Sequence, residues 1–294
     1  MIMDIIERIK NRRIVLLDGA MGTELEKRGS GMGGRMNLEN PGHVLAIHQD
    51  YIASGADIII TNTLTMNRIN IGFHEPGTDI DEANLAGARL ARQAVTGNRL
   101  VLGDISSTGQ FLEPYGEYTE EQFCDNFTEQ AGLLARGGVD GYIIETMSDI
   151  REAACALKAC RKVSDGPVLL CMSFSSAENG GHTIMGNTVE ETVRIAEENG
   201  ATAVGANCGE LEPDKMALLA KLFSRSTSLP VIIQPNAGRP VLQEDGTTVF
   251  TMGPVEFSVA LSRCIDNGAT IIGGCCGTTP EHIRAASEMI RKFR

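Results

Sequence analysis

A short run of apolar, mostly β-branched residues followed by a longer stretch with helical spacing recurs eight times along this chain, and no other feature constrains the fold as strongly. The runs fall at residues 14–17, 57–61, 100–103, 141–144, 167–172, 202–206, 230–234 and 270–272, and each reads as a strand. Ile58-Ile59-Ile60 and Val231-Ile232-Ile233 lack the apolar/polar alternation of a sheet with one wet face, so both faces are covered and the sheet is parallel. Helical segments follow at 44–54, 83–95, 120–136, 150–163, 189–199, 214–224, 255–267 and 281–292. Gly55 and Gly268 stand where helix-stop chemistry feeds the next strand. Eight such units in 294 residues predict a single (β/α)8 TIM barrel. The rival is an open doubly wound sheet, but the first turn, Asp18-Gly19-Ala20-Met21-Gly22-Thr23, lacks the G-x-G-x-x-G spacing of a dinucleotide site. No Pro/Ser-rich linker or charge block divides the chain, so residues 1–294 read as one domain, with an N-terminal helix over residues 1–12 capping the bottom of the barrel. Residues 29–34 and 178–188 are expected as loops on the active face.

A formal net charge of -12 sets the chain against nucleic acid and anionic membrane, because a polyanion is repelled at long range. Residues 1–13 alternate apolar and charged positions, unlike a signal peptide, and no apolar run approaches the ~20 residues of a membrane span. Eight cysteines without secretory signals read as reduced thiols or metal ligands, which places the chain in the cytoplasm.

Three of those cysteines stand apart. Cys275 and Cys276 lie in Gly273-Gly274-Cys275-Cys276-Gly277-Thr278-Thr279-Pro280, directly after the last strand and therefore on the catalytic face. Adjacent residues of a regular strand point to opposite faces, so both thiols serve one site only where the backbone leaves β geometry, which the flanking glycines permit. Cys208 ends the sixth strand, and even-numbered barrel strands contribute inward side chains to the same layer. Three thiolates leave a fourth tetrahedral position open, the arrangement of catalytic zinc. Zn2+ is preferred because soft ligands suit it and thiol alkylation needs no electron transfer. Bound thiols become thiolates at neutral pH, so the chemistry is nucleophilic displacement by sulfur. The competing readings are packing or a redox disulfide for the cysteines, and a phosphate cradle for the glycine-rich turn. Cys124, Cys155, Cys160, Cys171 and Cys264 read as packing residues, and His43, His48 and His282 as surface residues of helices.

The motifs Leu17-Asp18-Gly19-Ala20-Met21-Gly22-Thr23, Thr61-Asn62-Thr63, Ile144-Glu145-Thr146, Gly205-Ala206-Asn207-Cys208, Pro235-Asn236-Ala237-Gly238 and the double-cysteine segment occur in order over nearly the whole chain. Together they closely resemble the homocysteine S-methyltransferase family, and within it the homocysteine-binding domain of cobalamin-dependent methionine synthase most. The resemblance implies a barrel whose Cys208, Cys275 and Cys276 hold zinc, homocysteine as the methyl acceptor and methionine as the product. Glu145 and Asp18, acids at strand ends, are the candidates for the substrate ammonium. The carboxylate is expected on backbone N–H groups of the turn Gly19-Ala20-Met21, assisted by the Thr63 or Ser106 hydroxyl. Asn207 is expected to orient the cysteine loop, and the Asn236 amide oxygen to complete the zinc shell without substrate. Betaine fits poorly as the donor, because with no Trp and only four Tyr the chain lacks the means for an aromatic cage around a quaternary ammonium; the resemblance implies a methylcorrinoid carried by a separate protein or domain. That donor would enter a mouth edged by residues 29–34 and 111–118. S-methylmethionine is the competing donor and another small thiol the competing acceptor. Outside this class stand a non-catalytic zinc-binding subunit, for which an amino-acid clamp has no use, and a phosphate-binding lyase or isomerase, which would survive chelators.

Overall fold

The computed structural model describes residues 7–9, 11, 13–243 and 246–293. The eight expected strands are present as β1 (Val15–Leu16), β2 (Ile58–Ile60), β3 (Leu100–Ile105), β4 (Gly141–Met147), β5 (Val168–Met172), β6 (Ala203–Asn207), β7 (Val231–Gln234) and β8 (Ala269–Ile272). Each pairs in parallel with its sequence neighbour from β2 through β8, and β8 pairs with β1. A parallel bridge between Leu17 and Ile58 closes the ring, held by the Asp57 N–H on the Leu16 carbonyl at 2.7 Å and the Asp18 N–H on the Ile58 carbonyl at 3.1 Å. The chain is a single (β/α)8 barrel.

Strand alternation explains why the runs are apolar throughout. Leu17, Ile58, Leu102, Ile143, Leu169 and Ile232 fill the barrel interior. Their strand neighbours Leu16, Ile59, Val101, Ile144, Leu170 and Ile233 face outward, under the helices. Those helices are α1 (Pro41–Ser54), α2 (Ile80–Ala94), α3 (Glu120–Gly137), α4 (Ile150–Val163), α5 (Val189–Glu198), α6 (Pro213–Ser226), α7 (Pro254–Asp266) and α8 (Pro280–Ile290). Four of them begin at a proline that the sequence pattern places outside the helix, because proline at the first position gives up no intrahelical hydrogen bond. Gly55 and Gly268 end α1 and the turn after α7 at φ 103° and 102°, a conformation that a side chain would strain.

Most of the expected N-terminal helix, residues 1–6, 10 and 12, lies outside the described residues. Residues 7–9 are helical, and Ile9 is buried against the interior cluster. Arg8 donates to both Asp57 carboxylate oxygens at 2.9 and 2.8 Å and to the Ile14 carbonyl at 3.0 Å, which ties this turn to the entry ends of β1 and β2. Segment 178–188 is more ordered than the expected loop: His182–Thr183 pairs with Phe174–Ser176 in a hairpin. A second hairpin, Pro240–Leu242 with Thr248–Phe250, follows β7. The helix histidines require correction. His48 and His282 are buried, His48 because it shares the inward face of α1 with Val44 and Tyr51, His282 because its ring caps Thr279 and meets the Met252 carbonyl. Among the described residues no helix is long and apolar enough to cross a membrane.

Gly205 sits opposite Ile232 where β6 and β7 carry the floor of the site, and a Cβ there would lie 1.8 Å from the Ile232 carbonyl oxygen. Gly205→Ala is expected to lower stability by about 1 to 3 kcal/mol through overpacking. Chemical denaturation measures it; an unchanged midpoint would show that the two strands part freely.

Candidate active site

Three sulfurs converge above β6 and β8. Cys208 leaves β6 at φ 53°, the left-handed region, while its N–H donates to the Gln234 carbonyl at 3.1 Å. On the other side the chain leaves β geometry after Ile272. The Cys275 N–H donates to the Pro235 carbonyl at 2.9 Å, the Cys276 carbonyl accepts from the Ala237 N–H at 2.9 Å, and the Thr278 hydroxyl donates to the Cys275 carbonyl at 2.7 Å. Gly277, at φ 79°, lies flat under the Phe250 ring, which the second hairpin delivers. The three sulfurs lie within 4.8 Å of one another, and Cys208 Sγ is 3.8 Å from Cys276 Sγ. A tetrahedral ion with bonds of about 2.3 Å spaces its ligand atoms about 3.8 Å apart, so this set fits zinc in distance and in softness.

The protonation of the cluster points the same way. Hydrogen bonds from Cys208 and Cys275 hold the Cys276 thiol down at about 3. The reciprocal bonds, with burial, push Cys275 well up; Cys208, although lowered by its bond with Cys275, is carried to about 11 by Cys276 and burial. In the empty cluster a single thiolate is favoured, because further charges at this spacing repel it; a bound dication would favour ionisation of all three.

Asn207, fully buried at the end of β6, braces this arrangement. Its Oδ1 accepts from the Thr146 N–H at 2.7 Å, and its Nδ2 donates to Thr146 Oγ1 at 2.8 Å and to Cys275 Sγ at 3.8 Å. Thr146 needs the brace, since a β-branched residue at φ 59° is strained.

A cavity of about 360 Å³ opens beside the sulfurs, lined among others by Cys275, Cys276, Asp104, Glu145, the turn Gly19 to Thr23, and Met32 to Gly34. Glu145 Oε2 accepts from Gln234 Nε2 at 2.9 Å, and burial pushes the Glu145 carboxyl up to about 7. Asp18 accepts from the Ile60 N–H at 2.9 Å through Oδ2, whereas Oδ1 is buried with no partner among the described residues. Asp104 Oδ1 is likewise buried without a partner among the described residues, and burial, with repulsion from Glu145, raises both aspartates well above the usual carboxylate range.

The remaining residues singled out in the sequence hold the frame. The Thr63 hydroxyl donates to the Asp104 carbonyl at 2.8 Å and the Ser106 hydroxyl to the Glu145 carbonyl at 2.7 Å, and neither lines the cavity. Gly19 and Ala20 do line it, but the Ala20 N–H is held by Thr278 Oγ1 at 3.0 Å. Asn236 Nδ2 donates to the Gly209 carbonyl at 2.9 Å, leaving its buried Oδ1 without a partner among the described residues. Residues 29–34 reach the cavity through Met32, Gly33 and Gly34. Of the five cysteines read as packing residues, Cys155, Cys160, Cys171 and Cys264 are buried and Cys124 is half-buried. Sequence reasoning missed Asp104 and Gln234. The signal was there: each is a polar residue inside an apolar strand, as Glu145 is.

Residues 15–290 match the family described as homocysteine S-methyltransferase. The methionine synthase of Mycobacterium tuberculosis is 29% identical over 304 residues, which cover 97% of this chain and 25% of that protein. The methionine synthase of Mycobacterium leprae is likewise 29% identical, over 98% of this chain and 25% of its own length. The chain thus spans about a quarter of the length of these curated relatives. Among solved structures, the homocysteine methyltransferase MmuM from Escherichia coli in its metallated form superposes with a TM-score of 0.78 at 22% identity, covering 96% of this chain and 98% of that one. At that identity the likeness speaks to the fold.

Glu145 has a consequence for stability. Its carboxyl ionises at about 7 folded and near 4.5 unfolded, so between these values the folded protein holds a proton that the unfolded chain has lost. Its contribution therefore falls as pH rises through that window. Denaturation of the ligand-free protein at about pH 5 and about pH 7.5 is expected to show a smaller drop in Glu145→Gln than in the wild type. Equal drops would place the ionised carboxylate among partners that stabilise it.

Proposed function

The chain belongs to the homocysteine S-methyltransferase family, and on that footing we propose that it transfers a methyl group to the sulfur of homocysteine, giving methionine, with residues 1–294 acting as one unit. The observation that carries this reading is three cysteine sulfurs within 4.8 Å of one another beside a cavity lined by carboxyls. Cys208, Cys275 and Cys276 would hold zinc, whose charge, when bound, lowers the pKa of a thiol at the open fourth position. The buried Asn236 Oδ1 would complete the set of ligands before substrate arrives. Asn207 keeps the Cys275 sulfur in place by donating to it. Asp18 and Glu145 take the substrate ammonium, and their charged forms, disfavoured in the empty pocket, become favoured beside a cation. The carboxylate falls to N–H groups of the turn at residues 19–21 other than that of Ala20, which Thr278 holds. Thr63 and Ser106 serve by fixing the backbone of Asp104 and Glu145.

A methylcorrinoid on a separate protein or domain is the proposed donor. The relatives named methionine synthase extend far beyond the quarter that this chain spans, and among the described residues no aromatic side chain lines the cavity to cage a quaternary ammonium. S-methylmethionine is the second reading, favoured by a lining that includes Glu75, Asp104 and Glu145 and, among the described residues, no Lys, Arg or His, since such a wall attracts a sulfonium. The free thiols suit a cytoplasmic setting.

The purified protein is expected to carry about one zinc per chain. Alanine at Cys208, Cys275 or Cys276 is expected to remove metal and activity while circular dichroism stays unchanged, because the sulfurs sit on loops outside the core. Full zinc occupancy in the Cys275→Ala, Cys276→Ala double variant would refute the ligand assignment. The donor is read by supplying zinc-loaded protein and homocysteine with a methylated corrinoid protein, free methylcobalamin, S-methylmethionine or betaine, and measuring methionine. Turnover is expected with the corrinoid; rapid turnover with a small onium donor alone would replace it.

A further inference from the structure

We propose that Asp104 is a specificity-determining residue of this site: with Asp18 and Glu145 it receives the ammonium of the acceptor and so sets the preference for an α-amino thiol over the same thiol without the amino group. The inference rests on the homocysteine reading above. An ammonium brings three N–H donors in a tripod. Among the described residues Asp18 Oδ1 and Asp104 Oδ1 are buried without a partner, and Glu145 keeps a second oxygen beyond the one that Gln234 holds. Asp104 and Glu145 line the cavity, and Asp18, just past β1, does not line it but sits close enough to feel the charge of both, so the three carboxyls together offer one acceptor for each donor.

Asp104 is only 5% exposed yet lines the cavity. Its place does not depend on its carboxyl. The backbone is fastened by the Asp104 N–H on Thr61 Oγ1 at 2.9 Å, and its carbonyl accepts from Thr63 Oγ1 at 2.8 Å and Gln130 Nε2 at 3.4 Å. A buried carboxyl with an open oxygen costs the fold free energy that only a ligand returns. Burial and the neighbouring acids favour its protonated form until a cation arrives.

The test is calorimetric titration of the zinc-loaded protein with L-homocysteine and with 4-mercaptobutanoate, which is homocysteine without its amino group. Asp104→Ala is expected to weaken homocysteine about tenfold or more and 4-mercaptobutanoate less than twofold; Asp104→Asn, which keeps an acceptor oxygen, falls between. Thermal melts of both variants are expected to match or exceed the wild type, since no bond to the side chain is lost. A wild-type preference for homocysteine that survives in Asp104→Ala overturns the role of Asp104 and leaves the acceptor reading intact. Equal weakening of both ligands also overturns it. A wild type that binds both thiols alike sinks the ammonium site and the homocysteine reading together.

Discussion

Closure of the parallel sheet is the constraint on which everything else depends. The Leu17–Ile58 bridge, with backbone hydrogen bonds on either side of it, joins β1 to β2 and closes the edges of the eight-stranded sheet. Once the ring is closed, all strands share one direction and every strand end opens on one face. Asp18, Asp104, Glu145, Cys208 and Cys275–Cys276 come from widely separated stretches of chain, and they meet because the ring leaves them nowhere else to go. The Gly273–Gly274 stretch is tied into the same joint, since the Gly274 N–H donates to the Asp18 carbonyl at 3.0 Å. The closing strand thus also seats the cysteine loop.

Against that rigid floor the site holds an excess of unsatisfied chemistry. Three carboxyls are buried near one another, and three sulfurs crowd within 4.8 Å. Neither group can ionise fully without a cation. Each is held in place by neighbours that bond to backbone or to amides rather than neutralise the charge: Thr61 and Thr63 for Asp104, Ser106 and Gln234 for Glu145, Asn207 for Cys275. Rigidity without neutralisation is what a site for a metal and an ammonium requires, because the free energy withheld in the empty pocket returns on binding. Strain at Thr146 and at Cys208, both at positive φ, is concentrated in the same few residues.

Much of the fold was legible in the chain itself. The eight apolar runs, their lack of alternation and the glycine stops determine a closed parallel barrel, because strand and helix periods are local properties and burial on both faces leaves a continuous apolar signature. The cysteine trio was legible for a different reason: thiols beside glycines at strand ends have few other uses, and their motif is specific. The errors were of range. Helix starts moved to the preceding proline, the hairpins after β5 and β7 went unread, and His48 and His282 turned inward, because which face a helix buries depends on what packs against it.

Only the tertiary structure decided the roles within the site. Thr63 and Ser106 looked like hydroxyls for substrate, yet each bonds a carbonyl of the next strand, a contact between residues 41 and 39 positions apart. The Ala20 N–H looked open to a carboxylate, yet Thr278 holds it across 258 positions. Asp104 and Gln234 show in the sequence only as polar residues inside apolar strands; the ring sets them beside Asp18 and Glu145. A sequence lists donors and acceptors, but which of them are satisfied is a question of who is within 3 Å. That is settled by barrel closure, which brings together residues that no local pattern connects.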